Sequence, residues 1–221
     1  MKKRLVTLLV GALLTIATSA MATSWVDWST KNIGTLTVGS STVGVTLTGL
    51  AYDLVNGDYY YNNANTGGTS ASGTYGGLAP SDLIKELNSG TVIINFSEAI
   101  LNPYIALVSV GQPGAYNVNY VFQNLQNPIE VISYGSNYWG YGGYSINGNI
   151  FSGHEFNGIL QLDGTYSSII FDISPNENWH GFNIGTDSIS APVPEPGTIA
   201  LFGLGVAGLA VYCKRRQNKQ A

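Results

Sequence analysis

One cysteine occurs in 221 residues, Cys213, close to the C-terminus. The long middle of the chain therefore has no disulfide, no thiol nucleophile and no cysteine-ligated metal, and its stability rests on core burial. Basic side chains are scarce there as well. Seven of the nine Lys and Arg residues lie in the two end segments, leaving only Lys31 and Lys85 against thirteen acidic residues between Asp27 and Glu195. Two positive against thirteen negative side chains give that span a net charge of −11. This disfavours nucleic acid and other polyanions, and makes neutral glycans or divalent cations better matched partners.

Catalytic signatures are missing too. His154-Glu155 is followed by Phe156-Asn157-Gly158, so the second ligand of an H-E-x-x-H zinc site is absent. No G-x-S-x-G nucleophile elbow occurs. Gly203, Gly205 and Gly208 match the dinucleotide pattern G-x-G-x-x-G, but the chain ends before the acidic residue such a site needs. We assign no catalytic residue and no metal ligand from sequence, and expect a non-enzymatic domain without a cofactor. Three weaker chemistries stay open. A His–carboxylate site would draw on His154, Glu155, Asp163 or His180, although a surface or turn histidine is the simpler reading. A glycosidase pair would come from Glu155, Asp163, Asp172 or Glu177. Asp53, Asp58, Asn62 and Asn63 offer oxygens for Ca²⁺ without the spacing of a known calcium loop.

The ends carry address signals. Lys2, Lys3 and Arg4 precede an apolar run to about Ala17, and Ala20-Met21-Ala22 supplies small residues for cleavage after Ala22. That order is a secretory signal peptide over residues 1–22, with signal peptidase as the partner. At the other end, Pro192, Pro194 and Pro196 break any regular element. An uncharged stretch follows over 198–213, and a basic tail over 214–221 contains Lys214, Arg215 and Arg216. The stretch is short for a spanning helix, and its basic flank predicts a cytoplasmic C-terminus with the preceding domain outside.

Between the ends, residues 23–190 read as one extracytoplasmic domain. Apolar residues alternate with Thr or Gly at Leu36, Val38, Val43, Val45 and Leu47, the period of a half-buried strand. Further strands are expected at 51–55, 92–96, 105–110, 116–122, 129–134, 144–146, 149–151, 158–162, 168–173 and 181–184. Asn147-Gly148 predicts a type I′ hairpin. Ser81 is placed to cap one short helix over 82–87, ended near Gly90, with Leu83 and Leu87 on a shared face. Residues 56–77 read as a long mobile loop. The sum is an all-β fold, a β-sandwich for which the jelly roll is one topology, with one short helix and a transmembrane sorting helix after it.

The loop at 134–144 holds Tyr138, Trp139, Tyr141 and Tyr144 among Gly, Ser and Asn. Exposed aromatic faces stack on the C–H faces of sugars while Asn and Ser bond hydroxyls, so these four are candidate glycan contacts. The alternative is that they fold back over a sheet end. Trp179 is expected as a core anchor.

Val193-Pro194-Glu195-Pro196-Gly197-Thr198, the apolar stretch and Lys214-Arg215-Arg216 together resemble the PEP-CTERM sorting signal. The resemblance implies recognition of Pro194-Glu195-Pro196 by an exosortase, a transient stay in the inner membrane of a Gram-negative cell, and delivery to the surface or medium. It also implies association with exopolysaccharide or biofilm. Residues 102–114, Tyr138-Trp139-Gly140 and 177–182 are similar to phrases that recur in exported domains carrying such tails. The function expected is thus a matrix or surface protein, with a carbohydrate-binding module and a glycoside hydrolase as alternatives.

Overall fold

The computed structural model describes residues 23–61, 74–75, 80–136, 139–140 and 142–189. The segments 1–22 and 190–221 lie outside the described residues, and with them Ala20, Ala22, Pro194, Glu195, Pro196, Lys214, Arg215 and Arg216. Tyr138 and Tyr141 lie outside them too. The chain divides between Ile189 and Ser190. Among the described residues no helix is long and apolar enough to cross a membrane.

Two antiparallel sheets form a sandwich. One is ordered β10 (Ile129–Tyr134), β13 (Phe156–Leu162), β8 (Tyr104–Val110), β15 (His180–Thr186), β6 (Asp82–Glu86), β5 (Asp53–Asn56), with β1 (Ser24–Trp25) also on β15. The other is ordered β11 (Gly143–Asn147), β12 (Ile150–His154), β9 (Val118–Phe122), β14 (Thr165–Ser174), β7 (Gly90–Leu101), β4 (Ser41–Gly49), β3 (Ile33–Val38), β2 (Asp27–Thr30). A short β16 (Ser188–Ile189) pairs with β7. Nested pairs β6·β15, β7·β14, β8·β13 and β9·β12 alternate between the sheets. That nesting is the pairing of a jelly roll.

The alternation in β3 and β4 places Leu36, Val38, Val43, Val45 and Leu47 in the main core, which they share with Ile105, Leu107, Phe182 and Ile184 of the facing sheet. A second apolar cluster covers the outer face of the first sheet. It contains Tyr61, Tyr75, Leu83, Ala106, Val108 and Ile159. Strand β8 is therefore buried on both faces, which its uninterrupted run Ile105-Ala106-Leu107-Val108 permits.

Three expectations are corrected. Residues 82–86 form β6 and not a helix, because Ile84 enters the main core while its neighbour Leu83 enters the outer cluster. Consecutive residues buried on opposite faces need a period of two, which a helix does not have. The short helix is instead α1 (Asp58–Tyr61), inside the stretch expected to be a mobile loop. From that stretch Tyr61 and Tyr75 are fully buried, and their hydroxyls donate to the carbonyls of Ala106 (3.3 Å) and Leu107 (3.0 Å). Lastly, Asn147 pairs with Ile150, so the hairpin turn is Gly148-Asn149, shifted by one residue. Gly148 takes φ 61° and Asn149 is not at positive φ, the signs of a type II′ turn.

Candidate functional site

Nested pairing brings alternate connections to one end of the sandwich. The β8–β9, β12–β13 and β14–β15 connections meet there, joined by the β10–β11 segment. Together they line a cleft of about 470 Å³ with Ser109, Gln112, Pro113, Trp139, Glu155, Glu177, Asn178 and Trp179. Two of the four carboxylates named from sequence, Glu155 and Glu177, come together in it. Asp163 stays in the exposed β13–β14 turn, and Asp172 on β14 bonds Thr91 and Gln123.

Glu155 sits on a strained turn. Register slips between β8 and β13, so that Val108 and Ser109 oppose the single residue Asn157. This is a β-bulge, a device that re-aims side chains. Ser109 and Glu155 both hold positive φ, 55° and 54°, where non-glycine residues persist only when their surroundings enforce it. Asn157 supplies that enforcement. Its Oδ1 accepts the Ser109 amide at 2.7 Å, and its Nδ2 donates to the Glu155 carbonyl at 3.2 Å. The Ser109 hydroxyl then donates to Glu155 Oε1 at 2.7 Å. Burial raises the Glu155 pKa above the usual carboxylate value; the Ser109 hydroxyl opposes the rise and the negative charge of Glu177 adds to it.

Glu177 is held from the other side. Its Oε2 accepts the Gly111 amide at 3.0 Å and lies 3.1 Å from His180 Nδ1, an ion-pair distance without hydrogen-bond geometry. Gly111 takes φ 85°, and a Cβ there would stand 2.2 Å from the Gly153 carbonyl oxygen, so only glycine places this donor. Behind Glu177 the interior is polar. His180, expected at the surface or in a turn, is fully buried on β15 and faces Glu86 of β6 in register. Its ring meets Tyr120 edge-on at 5.9 Å. The Glu86 carboxyl and the Tyr120 hydroxyl find no hydrogen-bond partner among the described residues. Burial pushes the Glu86 pKa to about 8, with the Tyr52 amide and Lys31 opposing; that amide's hydrogen bond goes to the Lys85 carbonyl at 3.1 Å. His154, by contrast, lies at the edge of β12 with Nδ1 2.9 Å from Asn117 Oδ1.

Aromatic rings form the cleft's outer wall. Trp139, 43% exposed, packs on Trp179 (centroids 4.4 Å apart, 49°) and stacks on Tyr60 of α1 (5.6 Å, 18°). Trp179 is half-buried and touches Tyr60 at 4.5 Å, so it belongs to the cleft as well as to the outer cluster. Tyr144 leaves the group. It lies on β11 against Tyr134 and Phe156 and does not line the cleft. Asp53 and Asp58 are exposed, Asn62 and Asn63 lie outside the described residues, and no three His, Cys, Asp or Glu side chains gather as a metal site among the described residues.

Residues 192–216 match the family model of the PEP-CTERM protein-sorting motif. The chain carries a PEP-CTERM sorting motif. The match contains Pro194, Glu195, Pro196, Lys214, Arg215 and Arg216, and it supports an exported protein sorted by an exosortase as processing partner. No curated protein and no solved structure matches the chain.

Residues from three separate stretches, 102–114, 138–140 and 177–182, meet at the cleft. They contribute Ser109, Gln112 and Pro113, then Trp139, then Glu177, Asn178 and Trp179. Sequence reasoning singled these stretches out without joining them, and it did not place Ser109, Gln112, Asn178 or Tyr60 at a site. The signal available was their position in alternate connections of a jelly roll.

Proposed function

We propose that this exported PEP-CTERM protein is a non-enzymatic surface or matrix protein whose jelly-roll domain binds exopolysaccharide in the cleft. The observation that carries the reading is the pairing of two indole walls, Trp139 and Trp179, with a polar floor of Ser109, Gln112, Glu155, Glu177 and Asn178. Flat apolar rings suit the C–H faces of a sugar, while the Gln112 and Asn178 amides and the two carboxylates are groups that bond its hydroxyls. Sorting to the surface would bring the cleft to the polymer, and the acidic domain disfavours polyanionic chains.

Calorimetric titration of the full-length protein with neutral polysaccharides and with the host's purified exopolysaccharide tests this. Saturable binding, weakened roughly tenfold or more by Trp139→Ala or Trp179→Ala, is the expected result. Absence of saturable binding to every glycan contradicts the reading. Cleavage of the bound glycan that is abolished by Glu155→Gln contradicts its non-enzymatic part.

A further inference from the structure

Two carboxylates share the cleft, and among the described residues the basic groups near them are histidines, His180 Nδ1 at 3.1 Å from Glu177 Oε2 and His154 acting on Glu155, with no lysine or arginine beside them. The domain's two lysines are elsewhere: Lys31 Nζ donates to the Tyr52 carbonyl at 3.2 Å, and Lys85 Nζ stands over the Tyr52 ring at 5.0 Å. Glu155 Oε1 accepts from Ser109, and the Asn157 side chain also favours the charged carboxylate; Glu177 Oε2 accepts from Gly111 with His180 beside it, and Glu177 Oε1 takes no hydrogen bond from the described residues. Both side chains are nearly buried, 5% and 8% exposed, and both line the open cleft. Like charges held together in a low-dielectric site are unfavourable until a positive group joins them.

The walls say which kind of positive group fits. Among the described residues no three His, Cys, Asp or Glu side chains gather here as a metal site would require. Trp139 and Trp179 line the cleft with indole rings, a ring type that attracts organic cations. An ammonium on a sugar ring satisfies both features at once, since its ring lies on the indoles while the N–H groups reach the carboxylates.

Resting on the glycan-binding reading above, we propose that the cleft selects amino sugars with a free, protonated amine over their N-acetylated or neutral counterparts. Acetylation removes the charge and adds bulk at that position. The domain's net charge of −10, two basic against twelve acidic side chains over residues 23–190, also steers a polycationic chain toward it.

The experiment titrates full-length protein at about pH 6, where an amine of the α-amino type is charged, with glucosamine hexamer, N-acetylglucosamine hexamer and cellohexaose. Glucosamine hexamer is expected to bind roughly ten- to a hundredfold tighter than the other two, the effect of a charged hydrogen bond. Glu155→Gln and Glu177→Gln should each erase that preference. Thermal melting of both variants checks that they fold. Equal affinity for the three oligomers overturns the selectivity and leaves glycan binding standing. Preference for glucosamine hexamer that survives in both folded variants, or in Trp139→Ala, places the attraction on the general acidic surface and overturns the site. No binding of any oligomer or of exopolysaccharide removes the reading on which the proposal rests, and the proposal with it.

Discussion

The Ser109 hydroxyl donates to Glu155 Oε1 at 2.7 Å, and both residues hold their backbone at positive φ. The hydrogen bond thus joins two strained positions, one on β8 and one in the β12–β13 turn, and fixes the carboxylate at the cleft. Ser109→Ala keeps the strain and removes the donor, which should destabilise the domain by about 1–2 kcal/mol. Ser109→Gly removes the donor but relieves the backbone, so its loss should be smaller by about 1 kcal/mol. Denaturant unfolding of the two variants decides the order, and a Gly variant less stable than the Ala variant would contradict it.

Glu86 makes stability depend on pH. Its pKa is about 8 in the folded state against 4.5 ordinarily, so between those values the folded chain keeps a proton that the unfolded chain has lost. Stability is therefore fully present below about pH 4.5, falls as pH rises by up to about 1.4 kcal/mol per unit, and levels off above about 8. The groups around Glu86 are His180 opposite it on β15, Tyr120, Lys31 and the Tyr52 amide. Glu86→Gln should flatten this slope and be the more stable form at about pH 8. Unfolding midpoints at about pH 5 and pH 8 measure it; an unchanged slope in the variant would show that Glu86 is not its source.

How far such groups were legible is uneven. The β3–β4 hairpin was readable because one face is wet, so Leu36, Val38 and Val43 alternate with polar residues. Residues 82–86 were not, because both faces of β6 are covered and the alternation disappears. His180 gave no local sign of burial, since its surroundings, Glu86 and Tyr120, arrive from two other strands. The cleft was visible in pieces. Trp139, Glu155 and Glu177 were each named, but their convergence depends on nested strand pairing, which leaves no periodic trace in the chain.

Tyr61 and Tyr75 pin a segment of 56–77 to the carbonyls of β8. Replacing either by Phe keeps the ring and loses the hydroxyl, at a cost of about 1 kcal/mol each by thermal unfolding. Ala at either position opens a cavity and should cost about 3–5 kcal/mol. Equal effects of Phe and Ala would mean that ring packing contributes nothing.

Replacing Pro194-Glu195-Pro196 with three alanines should leave the protein unprocessed in the membrane fraction of its host. Wild-type processing of that variant, followed by immunoblot, would contradict the role assigned to these residues.

The claim that the cleft is the glycan site is tested most directly by the indole N–H signals of the four tryptophans, Trp25, Trp28, Trp139 and Trp179. Trp28 is an internal control, since its Nε1 donates to buried Asn183 Oδ1 at 2.9 Å. Titration with exopolysaccharide fragments, followed by NMR, should shift Trp139 and Trp179 along one saturable curve and leave Trp28 in place. Saturable binding with both cleft indoles unmoved would contradict the account.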